Sequence, residues 1–274
     1  IEPLRYRLYP NDRNAVFMGV DDFLFQETET VEILSHVKYG SVRCAVTRTD
    51  QDALKEETAH TLVIPTTLKE IGPYAFAYMQ NLKRVVIPSS VRTIKRGAFA
   101  GCTNLSSITI EPGVRLIEGT SFAGTGITSI TIPNTVKDLQ TYVFEDCKKL
   151  KTVKLPDGIK KIGECLFMGC ESLTSVVVPP TVTEIGERAY YDCKSLSSVT
   201  LPEGLVKICD GAFSDTSLTS LVIPSTVMEM GTWAFFCHKL AKVTLPARFN
   251  DADVLVDVFD NSSTKLFGTS EATL

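Results

Sequence analysis

A repeat of 22 or 23 residues runs through most of this 274-residue chain and limits the folds open to it. The repeat is marked by proline after an apolar residue at positions 65, 88, 133, 156, 179, 202, 224 and 246, with Glu111 in the equivalent place between 88 and 133. An aromatic residue follows every mark but the last by eleven positions: Phe76, Phe99, Phe122, Phe144, Phe167, Tyr190, Phe213 and Phe235. Such a period is typical of solenoids, in which each repeat is one coil stacked on the next.

Each repeat contains one strand pattern and one opposite wall. The pattern V-x-I-P alternates apolar and polar residues and stops at proline, which cannot donate a hydrogen bond to a neighbouring strand. One short strand cannot bury its own inner face, so strands of successive coils are expected to stack into a parallel sheet. The pattern V-x-x-I forms the opposite wall, and the segment around the aromatic residue is a single helical turn or a tight loop. We therefore predict a repeat solenoid, a right-handed β/α superhelix with one parallel sheet and short helical turns.

The apolar positions of a coil are predicted to point inward. In the second regular coil they are Val85, Ile87, Val91, Ile94, Ala98, Phe99 and Leu105. The aromatic rings are expected to stack about 5 Å apart, the spacing of hydrogen-bonded strands. Glycine follows the wall isoleucine or methionine at 72, 163, 186 and 231, but other residue types take this place elsewhere, so a positive φ is favoured there without being required.

The two ends depart from the repeat and are predicted to cap it, since a solenoid has open ends. Residues 1–30 contain a hairpin (LRYRLY, PNDRN, AVFMGV), 31–61 form a divergent first repeat with the insertion KYGSVRCAV, and 62–246 are the regular repeats. Residues 247–274 are polar and irregular and form the C-terminal cap, the whole chain being one continuous domain.

The regular repeats resemble the BspA-like leucine-rich repeat family of the Treponema type. The matching residues are IPSSVRTIKRGAFAGCTNLSSI (87–108), VPPTVTEIGERAYYDCKSLSSV (178–199) and their copies from Leu62 to Pro246. The first coil with its insertion is similar to the opening repeats of such proteins from gut anaerobes. The resemblance implies a leucine-rich-repeat fold, a non-enzymatic role, and secretion or display on the surface of a host-associated bacterium, where several members are implicated in adhesion.

The outward residues of the predicted strands form a face of small and β-branched side chains. Candidate partner-binding residues on this face are Arg84, Val86, Ser107, Thr109, Thr131, Thr152, Lys154, Val177, Thr200, Val222 and Lys242. Its few charges are all basic. Two interpretations remain open: valine and threonine suit an exposed strand, or the face is a flat docking surface for an extended partner. A flat face offers no pocket for a small molecule.

A second row lies two residues before each aromatic of the repeat and includes Tyr74, Tyr142 and Trp233. Exposed aromatic residues often anchor interfaces. These three are two or three coils apart, so they do not form one platform. Packing against the loop of a neighbouring coil is the favoured interpretation.

Four of the eight cysteines recur three residues after the aromatic, at 102, 147, 170 and 193, and Cys237 lies two residues after it. Stacked side chains that point the same way resist the dihedral angle of a disulfide. We therefore expect buried free thiols that act as small apolar groups, with Cys165 and Cys209 accessible to solvent. A single column does not bring four zinc ligands to one point.

No catalytic, cofactor or metal motif is evident. The three histidines (36, 60 and 238) are far apart, and the chain has no G-x-S-x-G, H-E-x-x-H, P-loop or G-x-G-x-x-G pattern. An acidic group (Asn250, Asp251, Asp253, Asp257 and Asp260) lacks the spacing of an EF-hand. Two interpretations of this group remain: a surface calcium site, or a solvated capping loop.

Charge and composition restrict the partners further. The net charge is -4 and no run of 18 apolar residues occurs, so we expect neither nucleic-acid binding nor a membrane span. The chain begins with Ile1 and has no basic segment at its start, so we expect a trimmed or mature form from which any export signal has been removed. We predict a recognition or adhesion module, extracellular or at the cell surface, that binds a host or bacterial surface protein or a glycan. The alternative is a passive spacer in a surface coat.

Overall fold

A computed structural model describes residues 4–20, 29–249, 252–259 and 265–268. The chain divides into two compact units, Ile1–Leu139 and Gln140–Leu274. Each unit is a stack of coils with parallel strands, which confirms the predicted repeat solenoid.

The first unit opens with a β-hairpin, as its sequence predicts. Strands β1 (Leu4–Tyr9) and β2 (Asn14–Val20) pair antiparallel around a 3-10 turn at Pro10–Asp12. After β3 (Thr30–Glu32), the KYGSVRCAV insertion forms a second hairpin from β4 (His36–Tyr39) and β5 (Val42–Thr49). Because β2 pairs in parallel with β5, both hairpins extend one wall of the solenoid.

Two parallel sheets form the walls of the coils in the first unit. The longer strands are β6 (Thr61–Val63), β8 (Arg84–Ile87), β10 (Ser107–Ile110) and β12 (Ser129–Thr131), and the two-residue strands are β7 (Glu70–Ile71), β9 (Thr93–Ile94), β11 (Leu116–Ile117) and β13 (Asp138–Leu139). One sheet has the order β10-β8-β6-β3, and the opposite sheet runs from β1 through β2, β5, β7, β9 and β11 to β13. The wall predicted from V-x-x-I is thus a second parallel sheet, in addition to the one that we expected.

The second unit repeats this arrangement. Its longer strands are β14 (Thr152–Lys154), β16 (Ser175–Val177), β18 (Ser198–Thr200), β20 (Ser220–Val222) and β22 (Lys242–Leu245), and its two-residue strands are β15 (Lys161–Ile162), β17 (Glu184–Ile185), β19 (Lys207–Ile208) and β21 (Glu229–Met230). Equivalent residues of successive coils lie side by side within each wall, as Val176 does beside Val199 and Ile185 does beside Ile208. Side chains at the inward positions are buried in nearly every coil, so the core follows the repeat.

The aromatic residue of each regular coil is fully buried in an aromatic column. In the first unit, ring centroids lie 5.3 Å apart between Phe76 and Phe99 and 5.7 Å apart between Phe99 and Phe122. In the second unit, the rings from Phe144 to Phe235 stack at 5.0–5.4 Å with interplanar angles of 4–13°. The predicted stacking is confirmed within each unit, and like side chains pack on like.

A run of tight turns, with no helix, surrounds the aromatic residue of each regular coil. The N–H groups of Tyr74, Phe76 and Tyr78 donate to carbonyls of the next coil at 2.9, 2.9 and 2.7 Å. Tyr74 and Tyr78 have φ of 50° and 57°, in the left-handed region. The intervening N–H groups of Ala75 and Ala77 donate within their own coil, to Gly72 and Tyr74, so every second N–H bonds the next coil. The turns therefore form a third hydrogen-bonded edge between coils.

The positive-φ position is not the glycine position that the repeat indicates. It lies two residues later, at Tyr74, Gly97, Thr120, Tyr142, Cys165, Arg188, Gly211 and Trp233, all with φ of 49–64°. Glycine is required at 72 and 231 because the backbone of the preceding coil lies too close for a side chain. A Cβ on Gly72 would lie 2.5 Å from the Thr49 carbonyl oxygen, and one on Gly231 would lie 2.5 Å from the Asp210 nitrogen. The predicted conformation at this column was wrong, because a shortage of space selects the glycine.

The C-terminal segment is more regular than its sequence suggests. Helix α1 (Ala252–Phe259) and strand β23 (Lys265–Gly268) lie in the region that we expected to be irregular. Phe259 extends the aromatic column of the second unit, with its ring 5.6 Å from that of Phe235, and β23 pairs in parallel with β22. The backbone N–H groups of Trp233 and Phe235 donate to carbonyls of α1. These contacts cover the last regular coil. The repeat does not predict α1, because Phe259 follows Phe235 by 24 residues and so lies outside the 22- or 23-residue register.

Candidate interaction surfaces

The predicted strand face is exposed in the first unit. Val63 and Val86 are 41% and 45% exposed, and Arg84, Ser107, Thr109 and Thr131 are also exposed. The face is not flat at β6 and β8, where a shallow depression of about 690 Å³ is lined by Val63, Arg84, Val86 and their neighbours His60, Lys83 and Glu111. Lys83 and Arg84 have no ion-pair partner within the described part of the chain. The depression therefore presents apolar side chains beside two available cations.

The strand face of the second unit carries its own exposed valines. Val177 and Val222 are 70% and 67% exposed, and Thr152, Lys154, Thr200 and Lys242 are exposed beside them. A depression of about 450 Å³ lies along β18, β20 and β22 and includes Thr200, Val222 and Lys242. Thr244, which belongs to the same outward row, is only half-exposed. All the residues predicted for this face are thus on the surface.

A second surface lies on the turns of each unit, in the row of positive-φ residues. In the first unit, large rings fill the space above glycines: a Cβ on Gly97 would lie 2.2 Å from the Tyr74 ring, and one on Gly101 would lie 2.4 Å from the Tyr78 ring. Tyr74 therefore packs on the neighbouring coil, as we expected. In the second unit, the Tyr142 hydroxyl donates to the Glu164 carboxylate at 2.8 Å.

Trp233 departs from that pattern and borders an open cleft. Its side chain is 57% exposed, and the nearest atom to a Cβ on neighbouring Gly211 would be the Arg188 Cγ at 3.4 Å. The cleft, which we call the turn cleft, measures about 710 Å³. It is lined by Met168, Glu187, Arg188, Tyr191, Asp210, Gly211, Ser214, Asp215, Thr232, Trp233 and Phe236. The repeat pattern does not predict this cleft. The cleft forms because one coil has the small residues Gly211 and Ser214 at two positions where the coils on either side have large residues.

The cysteine column has a structural role. All eight cysteines are free, and the thiols of Cys102, Cys170 and Cys193 donate to the carbonyl of the aromatic residue one coil earlier at 3.1–3.2 Å. In two of the short coils, the hydroxyls of Thr125 and Thr216 reach the carbonyl of the aromatic residue in their own coil at 2.9 Å. The column therefore satisfies a buried carbonyl. The recurrence of cysteine alone does not indicate that these threonines belong to it.

Solvent reaches the thiols less than the sequence predicted. Cys165 is buried, with only 3% of its surface exposed, which corrects our expectation, and Cys209 alone is partly exposed. Burial raises the pKa of Cys102 to about 12 and of Cys237 to about 11. Burial also raises the pKa of Cys209, and a neighbouring Glu184 carboxylate adds to the shift. A thiol reacts as its thiolate, so these groups are poorly reactive near neutral pH.

Thiol labelling tests this arrangement. We expect a bulky maleimide to modify one site, Cys209, in the native protein and all eight cysteines after unfolding. The rate at Cys209 should rise with pH, because its raised pKa leaves little thiolate at pH 7. Mass spectrometry of the intact chain counts the labels, and Cys209→Ser, which should lose the native label, is the control. Rapid native labelling of Cys165 or of the cysteine column would contradict the burial described above.

The described residues hold no group of three or more metal-binding side chains. Residues 250, 251 and 260 of the acidic group predicted as a calcium site or a solvated capping loop lie outside the described residues. Within the described part of the chain, no helix is both long and apolar enough to span a bilayer.

Comparison with known proteins identifies the repeat. The model of the BspA type leucine-rich repeat region, in six copies, matches residues 47–174 and 160–267. The chain belongs to the BspA-type leucine-rich repeat family. Leucine-rich repeat families are commonly protein-interaction modules and are generally non-enzymatic scaffolds.

Solved structures share the BspA-type fold. A leucine-rich repeat protein from Bacteroides ovatus is 26% identical with a TM-score of 0.82, and the match covers 100% of this chain and 68% of that one. The pneumococcal vaccine antigen PcpA is 16% identical with a TM-score of 0.58, over 98% of this chain and 92% of that one, and this similarity concerns the fold alone. No curated protein sequence matches the chain significantly.

Proposed function

We propose that this BspA-type chain is a recognition module that binds an extended segment of another protein on its strand face. The observation that carries the proposal is the depression at β6 and β8. There, exposed Val63 and Val86 lie beside Lys83 and Arg84, two cations with no ion-pair partner among the described residues. Apolar side chains next to available charges favour a segment with apolar and acidic residues, because burial and ion pairing then act together.

The same proposal places the protein outside the cell or on its surface. The resemblance to secreted and surface-displayed BspA-like proteins supports this location. Labelling of intact producer cells with an antibody to the chain tests the location, and signal only after cell lysis would contradict it.

A binding screen tests the function. The intact protein is applied to arrays of extracellular-matrix proteins, bacterial surface proteins and glycans, and we expect saturable binding to a protein with a Kd on the order of micromolar or tighter. The double variant Arg84→Glu, Val86→Glu should weaken binding at least about ten-fold, since it reverses a charge and places another on the apolar surface.

Arg115→Glu is the matched control, because Arg115 is an exposed cation beside the opposite wall of the same unit. It should leave the Kd unchanged. Binding to glycans alone, or protein binding that the double variant does not alter, would contradict the proposed surface. An absence of any binder, with face variants tolerated, would favour the spacer hypothesis.

A further inference from the structure

The turn cleft of the second unit contains acidic groups without cationic partners. Elsewhere in this unit, acidic side chains commonly pair with lysines of a neighbouring coil, as Glu184 pairs with Lys161 at 2.7 Å and Glu229 pairs with Lys207 at 2.9 Å. Asp210 has no ion-pair partner in the described chain, and Asp215 has only the His238 ring at 3.9 Å. The two carboxylates are therefore available to a ligand.

The floor of the cleft is formed by small residues of one coil. Gly211 lies in the same column as Arg188 and Trp233 of the adjacent coils, and Ser214 lies between Tyr191 and Phe236 in the same way. Since the adjacent aromatic rings of the column are 5.0 and 5.3 Å apart, the larger residues on either side are about two strand spacings from one another. The gap between these walls is open to a side chain of a partner, and the exposed Trp233 ring borders it.

The charge of the lining selects the ligand. Glu187 and Arg188 pair with each other at 3.3 Å, so Asp210 and Asp215 give the lining a net negative charge. Aromatic faces attract cations as carboxylates do, and Trp is the strongest of them. A flexible apolar stem that ends in a cation matches both features, and arginine and lysine side chains have this form.

We propose that the turn cleft binds an arginine or lysine side chain of a protein partner. The cation pairs with Asp210 and Asp215, and its stem packs on Trp233 and Phe236. This site is independent of the proposed strand-face function, since it uses other residues on the turns of the second unit.

Tryptophan fluorescence measures binding at this cleft, because Trp233 is the only tryptophan in the chain. The probe is the peptide acetyl-Gly-Arg-Gly-Arg-Gly-amide, and the matched probe replaces arginine by citrulline, which has nearly the same shape without the charge. We expect a saturable change in Trp233 fluorescence with the arginine peptide below about 10 mM, and none with the citrulline peptide. No saturable change, or an equal change with both peptides, would overturn the proposal. So would a saturable response only to a neutral oligosaccharide, for which maltohexaose is the probe.

Variants locate the binding. Asp210→Asn with Asp215→Asn should raise the apparent Kd for the arginine peptide at least about ten-fold, because both charges are lost. Asparagine retains the acceptor that Asp210 offers to the Thr232 N–H at 2.9 Å, and it tolerates the φ of 56° at Asp215, so the fold should be kept. Asp192→Asn is the control, since Asp192 has a φ of 59° in the equivalent position one coil earlier but pairs with Lys194 and does not line the cleft. An equal loss in the control, or no loss in the double variant, would overturn the assignment.

Discussion

Phe167→Ala is expected to lower the free energy of unfolding by about 3–5 kcal/mol, since truncating a buried aromatic side chain removes its burial and leaves a cavity. Phe167 is fully buried, and its ring lies 5.4 Å from that of Phe144 and 5.3 Å from that of Tyr190. The backbone around it is bonded to both neighbouring coils, because the Phe167 N–H donates to the Ala189 carbonyl of the following coil and the adjacent Leu166 carbonyl accepts from the Phe144 N–H of the preceding coil. Such a backbone cannot collapse into the cavity.

Chemical denaturation followed by circular dichroism measures this loss. Val177→Ala is the matched control, since Val177 is 70% exposed and its truncation should change stability by less than about 0.5 kcal/mol. A loss below about 1 kcal/mol for Phe167→Ala would contradict a closely packed aromatic column.

Tyr190→Phe is expected to stabilise the protein by about 1–2 kcal/mol, which is unusual for a core substitution. Tyr190 is the one tyrosine in a column of phenylalanines, and it is fully buried. Its hydroxyl has no hydrogen-bond partner among the described residues, so folding removes it from water without compensation. The equivalent site in neighbouring coils holds a phenyl ring, which shows that the ring alone fits.

The pH dependence provides a second measurement. Burial raises the pKa of the Tyr190 hydroxyl above its ordinary value of 10.0. Above pH 10 this hydroxyl ionises in the unfolded wild-type chain but stays protonated in the folded one, so the wild type loses stability that the variant keeps. The gap between the two proteins should therefore widen above pH 10. A less stable Tyr190→Phe protein at pH 7 would show that the hydroxyl makes a favourable contact.

The core could be predicted because it repeats. Inward positions such as Val85, Ile94 and Phe99 recur in every coil, and periodicity identifies them without knowledge of the backbone. The column of glycines at 72 and 231 could not be interpreted in the same way. Glycine is selected both by a positive φ and by lack of space, and only the close approach of Thr49 or Asp210 distinguishes the two causes here.

The candidate surfaces were predicted unevenly. The outward side of each strand follows from alternation, so Arg84, Val86 and Val177 were found. The turn cleft was missed because it depends on a difference between coils: Gly211 and Ser214 are small where Trp233 and Phe236 are large. The repeat pattern contains only what the coils share, so it does not reveal such differences. Phe259 was missed for a related reason, since α1 places it in the column from outside the register.

The threonines that replace cysteine in two short coils bear on how this chain can vary. Thr125 and Thr216 bond the aromatic carbonyl of their own coil, whereas the thiols of Cys102, Cys170 and Cys193 bond that of the preceding coil. A coil can thus lose a residue and exchange sulfur for oxygen, and the hydroxyl then bonds the aromatic carbonyl of its own coil instead of its neighbour's. Gene duplication or deletion of whole repeats needs only such local adjustments, so the length of the protein can evolve separately from the chemistry of its surfaces.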